Sequence, residues 1–335
     1  MSDSPPVLPS PDDPDFLVAV CGLYKASRML FTSISVGLFT ALAKGPLTME
    51  ELAAAIQIPL RSVHVLAHAM LALRVLEKKD GKLSNGPVAQ AQLTGSGPED
   101  MRAGVRLYEM VNYPLWEQFE NTVRTGQPAR TTKPSPEFAK IFSEGVEAFT
   151  RPAVTALLKA YDFGKHQRIL DLAGGTGSYL LPILRQHSSL AATLYELPHV
   201  ADMARRRLSA DPAGARVQVV EGDALFDPIP SGHDVVLLAN TVHLLGPEKV
   251  QLLFKRTREA VAPGTRLVMP EHWMDSTYTR PPFLALLSGT FLLLSGDGST
   301  YSVEDASGWL QAAGWRMLEH RPLHGLISLV IAEAA

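Results

Sequence analysis

Five short apolar runs, rich in branched residues, alternate with stretches of helical spacing between residues 168 and 271, and no other feature limits the fold so tightly. The runs are RILDLA (168–173), ATLYEL (192–197), RVQVVEG (216–222), DVVLLAN (234–240) and RLVMPE (266–271). Strands separated by helices become parallel neighbours, because the crossover helix returns the chain to the starting edge of the sheet. Both faces of such a sheet are covered, so its strands read as nearly continuous hydrophobic segments. Two more candidate strands, around 315–320 and 325–332, follow each other through Arg321-Pro322-Leu323-His324 and are expected to pair antiparallel at one edge. The expected class is α/β, and in open parallel sheets ligands sit beyond the carboxyl ends of the strands.

What stands at those ends is chemically selective. The first run feeds Asp171-Leu172-Ala173-Gly174-Gly175-Thr176-Gly177 and then a helix, a loop whose glycines let backbone approach a ligand. A dinucleotide loop wants a small residue at the third place after Gly175 and Gly177, where this chain has Leu180, so NAD is disfavoured. Asp171 would repel a pyrophosphate and suits a cationic group such as a sulfonium amino acid. Nineteen residues past Gly177, Glu196 ends the second run beside Leu197, where a carboxylate can accept from both ribose hydroxyls. The third run leads into Asp223, placed to accept from an adenine amino group, followed by Ala224 and by Leu225 and Phe226 as covers for the ring. Each acid alone reads more readily as a helix cap or a solvated loop carboxylate. Three at successive strand ends point to one ligand.

The first half of the chain has a different texture. Ile34, Leu38, Leu42, Leu52 and Ile56 recur at helical spacing, and Thr48 with Glu51 forms a capping box that starts a helix. A second helix is expected from Leu60 to about Leu76, then the turn Lys78-Lys79-Asp80-Gly81 between short strands, the order of a winged helix. Its second helix offers only Arg61 and Arg74 as fixed cations, and the whole chain carries a net charge of -3, so packing within a dimer is the better reading than DNA binding. Residues 98–165 hold Tyr108, Tyr113, Trp116, Phe119, Phe142 and Phe149 in helical segments interrupted by GQPARTTKPSPE, a loop. The expected divisions are a flexible tail at 1–14, a winged-helix domain at 15–97, connecting helices at 98–165 and a catalytic domain at 166–335. The single cysteine, Cys21, fits a reducing compartment. The start of the chain lacks the basic and apolar pattern of a leader, and the stretch 283–294 is too short to span a bilayer, so a cytoplasmic protein is expected.

With LDLAGGTG, YELP, EGDALFDPIP, AVAPGTRLVMPE and SVEDASGWLQAAGW, the chain resembles the S-adenosylmethionine (SAM)-dependent small-molecule O-methyltransferases of plants and bacteria that carry an N-terminal winged-helix dimerisation domain. The resemblance implies a Rossmann-like, mostly parallel seven-stranded sheet of order 3-2-1-4-5-7-6. It also implies a domain-exchanged homodimer and methyl transfer to a hydroxyl group. Asp171, Gly174, Gly175, Gly177, Glu196, Leu197, Asp223, Ala224, Leu225, Phe226 and Asn240 would then hold the cofactor. His243, just after the fourth run, stands at the family's general base, and Glu271 at the carboxylate that orients it. The chemistry agrees: only the oxyanion of a phenol attacks a sulfonium methyl well, and a neutral imidazole within reach can take the proton.

Two departures stand out. The family usually reads His-Asp-Trp where Leu244 and Leu245 follow His243, and Thr300 lies nearest the place of a second glutamate. A less polarised base would suit a more acidic acceptor, or methylation at carbon or nitrogen. A metal site of His243, Glu271 and His272 is disfavoured, because neighbouring residues on a strand point to opposite faces. Trp116, Trp273 and Phe291 are candidates to wall an apolar acceptor pocket. The rival readings are a SAM enzyme of other chemistry and a winged-helix regulator using the cofactor as a signal.

Overall fold

The computed structural model describes residues 9–95, 97–129 and 136–335, so most of the expected tail and the middle of the GQPARTTKPSPE loop lie outside the described residues. The chain divides into two compact units, 1–110 with 144–148, and 111–143 with 149–335.

The first unit is helical with one hairpin. Thr48 Oγ1 accepts from the Glu51 N–H at 3.2 Å and Glu51 Oε2 from the Thr48 N–H at 2.8 Å, starting the helix Met49–Ile56. The next helix, Leu60–Ala72, stops four residues short of the expected end because Arg74 turns left-handed (φ 58°) and the Val75 N–H reaches back to the Met70 carbonyl. Strands β1 (Leu76–Lys79) and β2 (Lys82–Asn85) then pair antiparallel through Asp80 and Gly81, both at positive φ, the geometry that matches hairpin twist. Leu38, Phe39, Leu52, Val63, Met70 and Leu83 form the buried centre. The stretch Phe16–Ser35, inside the expected helical domain, is by length and composition apolar enough to cross a membrane and leaves Leu17, Val18 and Tyr24 exposed.

In the second unit, β3 (Arg168–Leu172), β4 (Ala191–Glu196), β5 (Val217–Glu221), β6 (Val235–Leu237) and β7 (Arg266–Glu271) are parallel. The short pair β8 (Trp273–Met274) and β9 (Tyr301–Ser302) lies apart from them. Strands β10 (Trp315–His324) and β11 (Ile327–Ala334) complete the sheet, whose order is β5-β4-β3-β6-β7-β11-β10. Counted within the sheet this is 3-2-1-4-5-7-6, with β11 antiparallel to both neighbours. Alternation along β3 sends Ile169 into one apolar layer with Leu180, Leu184, Leu194 and Leu208, and Leu170 into the other with Phe254, Met269 and Trp315.

The edge hairpin differs from its expected form. The turn lies at Gly325, not at 321–324, and Pro322 sits inside β10 beside a bulge. As the edge strand, β10 can lose one N–H there without breaking a ladder.

Candidate active site

The parallel register brings Asp171 level with Leu194 on β4 and Leu237 on β6, so the ends of the three strands meet at one rim. After β3 the chain reverses sharply: Ala173, Gly175 and Gly177 all have positive φ, and the Ala173 N–H donates to the Tyr195 carbonyl at 2.9 Å. A Cβ on Gly174 would stand 2.3 Å from Asp171 Cγ, so only glycine lets the loop fold over this carboxyl. Asp171 is 1% exposed, and neither of its oxygens has a hydrogen-bond partner among the described residues. Burial, with a smaller contribution from Glu196, pushes its carboxyl up to about 8.

Glu196 closes the next strand and accepts from the Gly175 N–H at 3.0 Å and from the Leu197 N–H at 2.6 Å. Burial raises it, and those two donors offset part of the rise. It thus ties the glycine loop to β4 and to the helix Pro198–Ser209, which Leu197 leads. Asp223 shapes its own turn, its Oδ1 accepting from the Leu225 N–H at 2.9 Å, while the Ala224 carbonyl accepts from Arg256. Phe226 is 77% exposed and Leu225 packs against the apolar layer, so of the two Phe226 has the free ring face. Asn240 adopts φ 51° beyond β6; its amide donates to the Tyr179 hydroxyl at 3.2 Å, and its Oδ1 is buried without a partner among the described residues.

The fourth and fifth strand ends carry the second half of the site. His243 lies on the short turn Val242–Leu244 and Glu271 ends β7. His243 Nδ1 stands 2.6 Å from Glu271 Oε1, and a carboxylate only accepts, so Nδ1 carries the proton and Nε2 keeps a lone pair. The Val242 N–H donates to Oε2 at 3.0 Å and the His272 N–H to Oε1 at 2.7 Å. Burial alone would raise the Glu271 carboxyl, but His243 and His272 outweigh it and hold the group well below the usual carboxylate range. Phe291, from the helix Pro282–Ser295, stacks on the His243 ring with centroids 3.9 Å apart at 26°.

His272 corrects the sequence reading. Its ring does not point away from Glu271: Nδ1 lies 3.2 Å from the same Oε1 that meets His243. The strand stops at Glu271 and resumes at Trp273, so His272 falls in a break where side chains no longer alternate.

The remaining candidates separate. Trp116 is half-exposed, 4.8 Å from Phe119, and its ring lies over Gly289. Trp273 is buried in the apolar layer with Met269 and Tyr301. Thr300, at the expected place of a second acid, gives its hydroxyl to Met274 Sδ. Sequence reasoning passed over Tyr179, a buried phenol close to both Asp171 and Glu271 and raised by burial. Its one signal is an aromatic two residues past the last glycine of GGTG.

A buried carboxyl without a partner among the described residues, under a glycine cradle at one end, and a hydrogen-bonded imidazole at the other fit an adenosyl sulfonium and a methyl acceptor. Comparison with known proteins agrees. Residues 107–316 match the O-methyltransferase domain family and residues 18–95 the O-methyltransferase dimerisation domain. A 3-hydroxy-5-methyl-1-naphthoate 3-O-methyltransferase from Streptomyces sahachiroi is 31% identical, covering 88% of this chain and 86% of that protein. An N,N-dimethyltransferase from Streptomyces rimosus is 27% identical over 94% of this chain and 95% of its own length. Human N-acetylserotonin methyltransferase, solved in complex with SAM, shares the fold at TM-score 0.83 and 21% identity, covering 98% and 100% of the two chains. The family match spans more than half of the sequence, and the chain belongs to the SAM-dependent O-methyltransferase family.

Proposed function

We propose that this methyltransferase acts on a hydroxyl of a small aromatic or polyketide-like metabolite, with His243 as general base. The observation that carries this reading is the His243–Glu271 contact, which leaves Nε2 as the proton acceptor. The relative from S. sahachiroi methylates a naphthoate hydroxyl by its name, and the apolar rings of Phe291, stacked on His243, and of Trp116, over Gly289 on the same helix as Phe291, suit a flat acceptor. SAM supplies an activated methyl group when bound.

The rest of the chemistry belongs to this chain. Asp171 receives the cationic amino-acid end of the cofactor, the loop Gly174–Gly177 gives its backbone room, and Glu196 accepts from the ribose hydroxyls. Asp223, Ala224, Leu225 and Phe226 flank the adenine, with Asn240 at the loop's other side. His243 takes the acceptor's hydroxyl proton on Nε2, and Glu271 fixes the ring and stabilises the imidazolium that forms. The dimerisation match supports a homodimer in which a partner covers the exposed Leu17, Val18 and Tyr24. A cytoplasmic location agrees with the single cysteine, Cys21.

The test is His243→Gln, assayed with labelled SAM against a panel of phenols, carboxylic acids and amines. Turnover should fall about 10²- to 10⁴-fold while cofactor affinity stays unchanged. An unchanged rate, or label delivered only to nitrogen or carbon, would remove the assignment.

A further inference from the structure

The break that turns His272 toward Glu271 also assembles donors that methyl transfer does not require. One ring nitrogen from each of His243 and His272 and a carboxylate oxygen of Glu271 lie within 4.8 Å of one another, with His243 and Glu271 buried and His272 half-buried. Both Nδ1 atoms face the same oxygen, at 2.6 and 3.2 Å. Two imidazoles and one carboxylate form the ligand set of borderline divalent cations, leaving a fourth position open in a tetrahedral site. Bonds of about 2.0–2.2 Å in that geometry need donors roughly 3.3 Å apart. The His272 pair, at 3.2 Å, has nearly that separation, and the His243 pair, at 2.6 Å, must open by about 0.7 Å to reach it.

The surroundings favour such a cation. The second oxygen of Glu271 is fixed by the Val242 N–H, and the backbone N–H of His272 holds Oε1 at 2.7 Å. Those bonds keep the carboxylate oriented as ligated carboxylates are. Phe291 stacks on His243 and lies 5.9 Å from the His272 ring, which restricts water on that side.

We propose that His243, Glu271 and His272 bind a divalent transition cation of the zinc class, and that a cation held there stops methyl transfer. The second half rests on the reading of His243 as the base. When the cation takes the Nδ1 lone pairs of His243 and His272, the proton on each Nδ1 moves to Nε2 of the same ring. No electron changes hands. A ring with its proton on Nε2 is a donor toward the acceptor pocket and cannot take a proton from it.

The experiment titrates the full-length protein with Co²⁺, following visible absorption and calorimetry, and assays methyl transfer with increasing Zn²⁺. One equivalent of Co²⁺ should bind and give the intense visible bands of four-coordinate cobalt, and His272→Phe should weaken that binding at least ~10-fold. Zn²⁺ at saturation should lower the parent's rate at least ~10-fold, while His272→Phe keeps its own metal-free rate at the same concentration. His272→Gln serves in the same way should the phenylalanine variant fail to fold, judged by circular dichroism. No stoichiometric cobalt binding, or binding unchanged in either variant, overturns the site and leaves His243 as base untouched. Stoichiometric binding at these residues with an undiminished rate overturns both the inhibition and the base assignment.

Discussion

Asp171 and Glu271 are buried to the same degree, each 1% exposed, yet their carboxyls settle in opposite states. Asp171 has no donor to either oxygen among the described residues and is pushed up to about 8, while Glu271 collects two backbone N–H groups and two imidazoles and stays ionised. Burial sets the cost of a charge, and the donors within reach decide whether it is met. One end of the site is a carboxylate–imidazole assembly finished in the folded chain. At the other, Asp171 is left without a donor among the described residues.

The strongest way to break that contrast is Glu271→Gln, whose amide would place N–H groups against donors already aimed at the carboxylate. It should lower turnover about 10²- to 10⁴-fold and also lower the melting temperature of the cofactor-free protein. A full rate with normal stability would show that the network does not hold the base.

Asp171→Asn tests the opposite end, since an amide replaces an acid that is already neutral at low pH. Cofactor affinity should drop about 10- to 100-fold, read by calorimetry, with little loss of stability in cofactor-free protein. The pH dependence carries the sign. Asp171 is raised from 3.8 when folded, so its contribution to stability is complete below about pH 4 and lost as pH rises toward 8. Glu271 is lowered from 4.5, so its contribution is present above about pH 4.5 and lost in acid. Denaturant midpoints measured across this range should decline less between pH 4 and 8 in Asp171→Asn than in the parent. An identical decline would deny the buried acid its proton.

The smallest effect is expected at Ala173, which holds φ 55° in the glycine loop. Ala173→Gly should stabilise by about 0.5–1 kcal/mol, the relief of a left-handed alanine less the extra freedom of glycine in the unfolded chain. A loss of stability in chemical denaturation would mean that the methyl packs to advantage.

Much of this arrangement was legible before any coordinates. Periodicity gave the parallel strands, and with them the rim where Asp171, Glu196, His243 and Glu271 stand, because side chains at strand ends follow from order and direction. The capping box at Thr48 and Glu51 was equally local. What stayed hidden depends on contacts far apart in sequence. The donor that fixes Glu271 Oε2 is the N–H of Val242, twenty-nine residues earlier. His272 deceived because alternation holds only while a strand lasts, and β7 ends one residue too soon. The edge turn slipped to Gly325 because Pro322, a breaker elsewhere, is tolerated on an outer strand.

The stacking of Phe291 on His243 has a consequence for selectivity. With one ring face shuttered and Nδ1 committed to Glu271, the imidazole presents a single usable edge. On the proposed reading of His243 as base, a polyhydroxylated ring would be marked at whichever oxygen reaches that edge, and the helix Pro282–Ser295, through one phenyl group, would set regiochemistry by aim.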